Sequence, residues 1–330
     1  MIPSATFVTA TRRLAAIALA TMTAGFAAPA FAAFPDRPII IVVPFPPGGG
    51  VDAAARAIAE GMAADLGSAV QVDNRPGGTS SIGAGYVARS APDGHTLLLG
   101  TTSLSINPVM QPSLPPGDPR TAFAPVGQVL QVPYMLAVGP TVQAADLAAL
   151  IAWARSNPGR LDFANGGSGS GQRMAASLLA FRAGIEVSHV PYRGSAPAVI
   201  DLAAGRVHAI FAQPIEVAPV IQAGAVRAIA VSTATRSPAF PDVPAVAETV
   251  PGFNVGSWSG LFAPAGTPEA VLDRLNAALN AALRNDALRA RFRAEGAEFV
   301  GGTRAAFAEL LDREIQGWLE LQRATGLTID

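Results

Sequence analysis

The chain of 330 residues contains no cysteine. That excludes a disulfide framework, a thiolate metal site and a lipid-attachment cysteine behind an export signal. It contains no lysine either: all 23 basic residues are arginines, so a Walker A phosphate loop, a pyridoxal Schiff base and a catalytic lysine are impossible. Histidine is scarce. His189 and His208 fall in strand patterns and His95 at a turn, which suits hydrogen-bonded structural roles better than catalysis. No His/Asp/Glu cluster has metal-ligand spacing, so no metal is expected. No nucleophile elbow of the form G-x-S-x-G stands at either of the two glycine loops, and nothing argues positively for an enzyme. Past the N-terminus there is no uninterrupted apolar run of about 18 residues, the length that a membrane span needs.

Residues 1–32 read as an export signal. Arg12 and Arg13 form a basic start, an alanine-rich apolar stretch follows over 14–28, and "APAFA" at 28–32 offers a cleavage site. Cleavage after Ala32 and delivery to the periplasm are expected; the arginine pair also passes, weakly, for a twin-arginine signal. Removing 1–32 deletes two arginines and no acid, taking the formal charge from −1 to −3. That argues against a nucleic-acid partner. The nearly 300 residues that remain exceed what one core usually supports, so two domains are expected.

The sequence "IIIVVPFPPGGGVDAAARAIAEGM" at 39–62 has the grammar of a buried strand, a tight loop and a helix. Ile58, Met62 and Leu66 recur four apart, with Asp52 available as N-cap. "AVQVDNR" reads as a second strand, Ser80 or Ser81 as the cap of a short helix ending near Arg89, and "HTLLLGTTS" as a third strand running into a polar loop at 101–107. A βαβαβ unit of this kind makes a parallel sheet with its loops gathered at the strand C-termini. The proline-rich 107–125 has no period and reads as an irregular excursion. From Tyr134 the rhythm restarts with strand "YMLAV", helix 144–156, strand "LDFAN", a glycine loop and a helix over 172–183 closed by Gly184. Three more strands and two helices then complete a second parallel sheet. The chain crosses back at "GFNVGSWSGLFAPAG", Thr267 and Pro268 start a helix, and an all-helical tail with Phe307, Leu311, Ile315 and Trp318 on one stripe packs on the first domain. The expected architecture is α/β, with two α/β lobes joined by two crossover hinge strands and a ligand cleft between them. Lobe 1 comprises 33–130 and 258–330, lobe 2 comprises 131–257.

Backbone N–H groups in the first turn of a helix have no acceptor within it, and glycines let an anion approach them. The loop "PFPPGGGVD" therefore reads as an anion site. "NGGSGSG" at 165–171 repeats the logic, with Ser168, Gly169 and Ser170 presenting amides and hydroxyls. Either loop alone is equally a plain tight turn; two at matching positions favour a grip on a carboxylate. A competing reading is an exported NAD(P)-dependent oxidoreductase using glycines 48–50, since 48–53 fits G-x-G-x-x-A and Asp73 stands where a ribose-binding acid belongs. Against it, Pro46 and Pro47 remove two donors, Asp52 would face a pyrophosphate, and nicotinamide cofactors are scarce outside the cytoplasm. Arg193 is either a charge-assisted ligand contact or a solvated loop residue. Gln213, at a strand end, can meet the ligand's far end, and Trp258 either lines the cleft or packs the hinge. No cofactor is expected.

The segments "VPFPPGGGVDAAAR", "VDNRPGGTSSIGAGYVARSAPDGHTLLLGTTSLSINP", "VPYRGSAPAVIDLAAGRV" and "SPAFPDVPAVAETVPGF", with "GLFAPAGTP" following, closely resemble the Bug-type receptors, the extracytoplasmic solute-binding components of tripartite tricarboxylate transporters. The resemblance runs from about Phe34 to the C-terminus. It implies a periplasmic-binding-protein-like fold, a small organic acid or related carboxylate as ligand, and capture by venus-flytrap closure. It further implies a monomer that hands its ligand to membrane transporter subunits or reports to a sensor protein. In such receptors the loop carrying Phe45, Gly48, Gly49 and Asp52 and the loop at 166–171 hold a carboxylate through backbone groups, hydroxyls and water, and the strand-end loop with Thr101, Thr102, Ser103 and Asn107 shares the cleft. Two departures stand out. Gln213 replaces an expected Asp, Asn or Ser, and Gln172-Arg173 replaces a histidine common after the second glycine loop. The missing acid at 213 points away from an amino-acid ligand.

Overall fold

Alternation of buried β-branched strands with small-residue helices builds two sheets. A computed structural model describes residues 34–327 except Ser168, Arg193 and Glu295; the signal-peptide reading of 1–32 falls outside them. From Arg37 onward the chain packs as one unit. It begins β1 (Ile39–Val43), α1 (Gly50–Leu66), β2 (Val70–Asn74), α2 (Ser81–Ala88), β3 (Thr96–Thr101), α3 (Ser103–Met110), α4 (Pro119–Ala122) and β4 (Phe123–Pro133). The second sheet and its helices follow as β5 (Met135–Val138), α5 (Leu147–Ser156), β6 (Leu161–Asn165), α6 (Gly171–Ala183), β7 (Val187–Pro191), α7 (Ser195–Ala203), β8 (Ala209–Ala212), α8 (Pro214–Gln222), β9 (Arg227–Val231) and α9 (Val246–Thr249). The chain then returns through β10 (Gly256–Pro264), α10 (Glu269–Ala282), α11 (Asp286–Ala294), β11 (Glu298–Phe299) and α12 (Arg304–Thr325). The first sheet is ordered β11-β4-β10-β3-β1-β2 and the second β7-β6-β8-β5-β9.

β1 pairs in parallel with β2 and β3, as a βαβαβ unit requires. The second sheet is not wholly parallel. β5 follows β4 with only Tyr134 between them and no crossover helix, and it pairs antiparallel with both β8 and β9. Three further local expectations change. The polar stretch at 101–107 is the end of β3 and most of α3, which accommodates Pro108. The irregular 107–125 contains α4, capped by the Asp118 carboxylate accepting from the Arg120 N–H, and the start of β4. The tail is not all helix, since β11 extends the first sheet beside β4. Helix starts also shift: Gly49, not Asp52, is the N-cap of α1, and Pro268 that of α10.

The chain changes sheets between Pro133 and Met135 and again between Val231 and Gly256. Both passages are fastened by fully buried Ser232. Its Oγ accepts the Tyr134 N–H at 2.8 Å and donates to the Val255 carbonyl at 2.5 Å. Its backbone adds Ser232 N–H to Tyr134 O and Val255 N–H to Ser232 O. A buried hydroxyl with both capacities used is costly to replace by an apolar group, because two partner groups lose their bonds.

The stripe Phe307, Leu311, Ile315 and Trp318 of α12 is buried. The Phe307 ring meets Trp258 edge-on at 5.6 Å and Phe262 at 4.9 Å, and its Cζ end abuts Gly260, where β10 shifts register. A Cβ on Gly260 would fall 1.9 Å from Phe307 Cζ. Gly260→Ala should therefore overpack this core and cost about 1–3 kcal/mol, lowering the melting temperature by several degrees. Adding Phe307→Leu should restore part of that loss, as thermal unfolding of the single and double variants would show.

Candidate functional site

The first-turn amides of α1 have no side-chain cap, and Gly49 sits as N-cap in extended conformation. Gly48, at φ +89°, turns its N–H inward to Asp52 Oδ2 at 2.9 Å. The Asp52 carboxylate also takes Arg56 Nε and Nη2 at 3.0 Å and Asn74 Nδ2 at 2.9 Å, while Asn74 Nδ2 donates onward to the Phe45 carbonyl at 3.1 Å. Asp52 thus fixes the shape of the glycine loop. Hydrogen bonding from Arg56 outweighs burial and draws its carboxyl down to about 2. This arrangement gives the dinucleotide reading no support. A pyrophosphate would need the Gly48 amide that Asp52 holds, and it would meet that carboxylate's charge. Asp73, the candidate ribose ligand, is paired with Arg75 Nε at 2.7 Å.

Next to this loop, β3 delivers Thr101 into α3. Thr101 Oγ1 and Ser103 Oγ lie 2.9 Å apart, and the Ser103 and Leu104 amides begin a helix without an acceptor inside it. Thr102 Oγ1 accepts the Trp258 N–H at 3.0 Å and so ties this corner to the returning strand β10. Trp258 itself is buried, its Nε1 donating to Glu314 Oε2 at 2.9 Å, and it also lines a small cavity beside Ser257 and Ser259. Asn107 Nδ2 donates to the Thr79 carbonyl at 3.0 Å. That bond braces Thr79 and Ser80, which hold left-handed φ of 51° and 72°, a strained state for residues with a Cβ.

From the second sheet, β6 leads through the other glycine loop into α6. Ser170 is the N-cap, its Oγ accepting the Arg173 N–H at 3.3 Å. Gly171 is required by close approach, since a Cβ there would lie 2.3 Å from Tyr134 Oη. Gln172 knits three elements: its Oε1 accepts the Gly166 N–H at 2.6 Å, and its Nε2 donates to Ser195 Oγ at 2.8 Å and to Glu216 Oε2 at 3.2 Å. Burial pushes the Tyr134 hydroxyl well above its ordinary range, so it stays protonated. The histidines lie elsewhere. His189 Nε2 meets Ser177 Oγ at 3.1 Å, and burial followed by the Arg173 charge lowers it to about 4. His208 Nδ1 accepts the Asp162 N–H. No group of three or more His, Asp or Glu among the described residues is placed to hold a metal ion.

These parts enclose a cavity of about 450 Å³ between the two sheets. Of the residues expected at the ligand, Phe45, Thr101, Thr102 and Ser103 line it from the first sheet, and Gly169, Ser170 and Gln213 from the second. Gly48, Gly49, Asp52 and Asn107 are not in its lining; they shape the loops behind it. Ser168 and Arg193 lie outside the described residues. Sequence reasoning missed Val51, Thr79, Tyr134, Glu216 and Ser257, all of which line the cavity. Glu216 was the most accessible of these, because Gln213 and Glu216 bracket Pro214 in the N-cap and N3 positions of a capping box. A second cavity of about 250 Å³ adjoins, sharing Val51, Thr101, Gln213, Glu216 and Ser257. A larger hollow of about 540 Å³ lies against α1, α10 and α11, with Glu60, Ala64 and Leu288 in its lining. No residue of the second sheet reaches it, so it is not the inter-sheet cleft. Across the mouth of that cleft, a Cβ on Gly169 would stand 3.2 Å from Thr79 Cγ2, so a side chain there would meet the opposite rim.

Comparison with known proteins points the same way. Residues 54–327 match the model of a family described as tripartite tricarboxylate transporter family receptor. BugT of Bordetella pertussis is 38% identical over 320 residues, covering 96% of this chain and 98% of BugT. An R. palustris protein solved with adipate is 34% identical, with a TM-score of 0.77 over 89% of this chain and 99% of that one. MatC from Rhodopseudomonas palustris, solved with bound malate, is 33% identical, with a TM-score of 0.74 over 87% of this chain and 99% of MatC.

The Asp52 network sets an acid-side prediction. Because its carboxyl is lowered from 3.8 to about 2 in the folded state, the stability it adds is complete above the unfolded value and is lost as pH falls through the folded one. Asp52→Asn should flatten the drop in unfolding midpoint between about pH 4 and pH 2. At neutral pH it should cost about 1 kcal/mol, kept small because Arg56 is half exposed and screened by water. Denaturant unfolding across that pH range measures both effects.

Proposed function

The chain belongs to the tripartite tricarboxylate transporter receptor family, and on that premise we propose that it is an exported periplasmic receptor that captures a small carboxylate by cleft closure. Residues 1–32 would be the cleaved signal, 33–130 with 258–330 one moving lobe and 131–257 the other. The observation that carries this reading is the convergence of α1, α3 and α6 N-termini, from two different sheets, on one cavity. Uncapped first-turn amides attract an anion without any basic side chain. In this reading a ligand carboxylate bonds to amides at 50–51 and 171–172 and to the hydroxyls of Thr101, Ser103 and Ser170. Ser168 would add a further hydroxyl from the same glycine loop.

Closure brings the Thr79 rim against Gly169, and the Ser232 clamp keeps the two hinge passages together while they bend. No covalent step is required, no cofactor takes part, and the loaded form is a monomer that docks on membrane transporter subunits or on a sensor protein.

Thermal unfolding against a panel of mono-, di- and tricarboxylates tests the reading. A ligand at about a hundred times its dissociation constant stabilises by about 2.7 kcal/mol, a shift of several degrees. Ser170→Ala should weaken binding of that ligand by about tenfold, the loss of one hydrogen bond to a charged group. Gly169→Val should reduce affinity, since its side chain would press on Thr79 across the rim and oppose closure. Absence of any shift across the carboxylates would reject the proposal.

A further inference from the structure

Glu216 is the one carboxylate among the described residues lining the 450 Å³ cavity, and it lines the adjoining cavity as well. No described lysine or arginine lines either of those two at the Glu216 wall. An acid in the wall of a carboxylate receptor is a liability, because two like charges in a partly desolvated site repel. Its structural duties account for part of its presence. Glu216 Oε2 accepts the Gln213 N–H at 2.8 Å, closing the first turn of α8, and accepts Gln172 Nε2 at 3.2 Å. The Ser195 hydroxyl is a third donor. Burial pushes the Glu216 carboxyl up, and these three donors together with the positive end of α8 oppose that rise only in part. A glutamine would serve the capping box as well as a glutamate does, so capping alone does not require the charge.

The cavity is therefore polarised. The Gly171 and Gln172 amides of α6 and the Thr101 and Ser103 hydroxyls offer donors to an anion, and one Gln172 side chain away stands the Glu216 carboxyl, a hydrogen-bond acceptor. We infer that the ligand is a carboxylate that also carries a hydrogen-bond donor, whether hydroxyl, amide N–H or ammonium, on the part facing Glu216, in place of a second carboxylate; this rests on the receptor reading above. Position 213 lacks an acid, but Glu216 returns one to the same wall, which reopens the cleft to amino-acid-like ligands that Gln213 alone argued against.

The test is calorimetric titration of the protein with end-group series of equal length: adipate, hexanoate, and the ω-hydroxy and ω-amino hexanoates, with the corresponding four-carbon set and the hydroxy- and amino-substituted short acids. The donor-ended members are expected to bind about ten- to a hundredfold more tightly than the dicarboxylate of the same length. In Glu216→Gln, which retains the capping geometry, that preference should collapse and the dicarboxylate should gain affinity. If dicarboxylates bind best to the unaltered protein, the inference is overturned while the receptor reading stands. If no member of any series binds, the receptor reading itself fails. The order of affinities in the unaltered protein decides the matter even if the variant does not fold.

Discussion

A backbone amide at the start of a helix has no partner unless something outside the helix supplies one, and this fold gathers several such amides in one place. Parallel strands place helix N-termini at the same sheet edge. β1 and β3 do so on one side, β6, β7 and β8 on the other, and the two edges face each other across the inter-sheet cavity. The need to satisfy those amides explains why side chains around the cavity are arranged as they are. Asp52 takes the Gly48 amide so that the glycine loop keeps its shape, and Gln172 and Glu216 take the Gly166 and Gln213 amides. The first turns of α1 and α3 carry no side-chain cap, and in α6 Ser170 Oγ takes only the Arg173 amide.

A gap between two sheets is useful only if the sheets stay aligned, and two passages of chain provide that. β4 and β10 lie side by side in antiparallel register up to the pair Gly256 and Pro133. Ser232 then holds Tyr134 and Val255 together just inside the second sheet. Tyr134 continues the linkage by resting its hydroxyl against Gly171 at the start of α6. On the first-sheet side, Thr102 holds the Trp258 backbone and Glu314 its indole. Each of the two passages thus touches a helix start that faces the cavity, so a bend there would carry the elements lining the cavity with it.

Much of this was legible in the sequence where the physics is local. The run "LDFAN" is β6 as read, and the three- and four-residue spacing of Phe307, Leu311, Ile315 and Trp318 identifies the buried face of α12. What escaped depends on long-range partners. β5 has the same apolar pattern whether it runs parallel or antiparallel, and its direction is set by entry from β4 without a crossover. α3 is hidden in "SLSINPVM", where serines and an internal proline mask a helix that tertiary packing against α12 supports. In the cleft, glycines and hydroxyls announce themselves by composition. Tyr134, Ser257 and Glu216 do not, because hinge position and wall position have no periodic signature.

Recognition divided in this way has an evolutionary consequence. In the proposed receptor, a contact made by main-chain amides of α1, α3 and α6 would survive most side-chain changes at those positions, Gly171 excepted. The wall formed by Gln213 and Glu216 is built of side chains, and one substitution there rewrites it. On that proposal, a lineage carrying this scaffold would drift from one metabolite to another while its grip on the shared acid group stayed constant, a conservative anchor with a replaceable reading head.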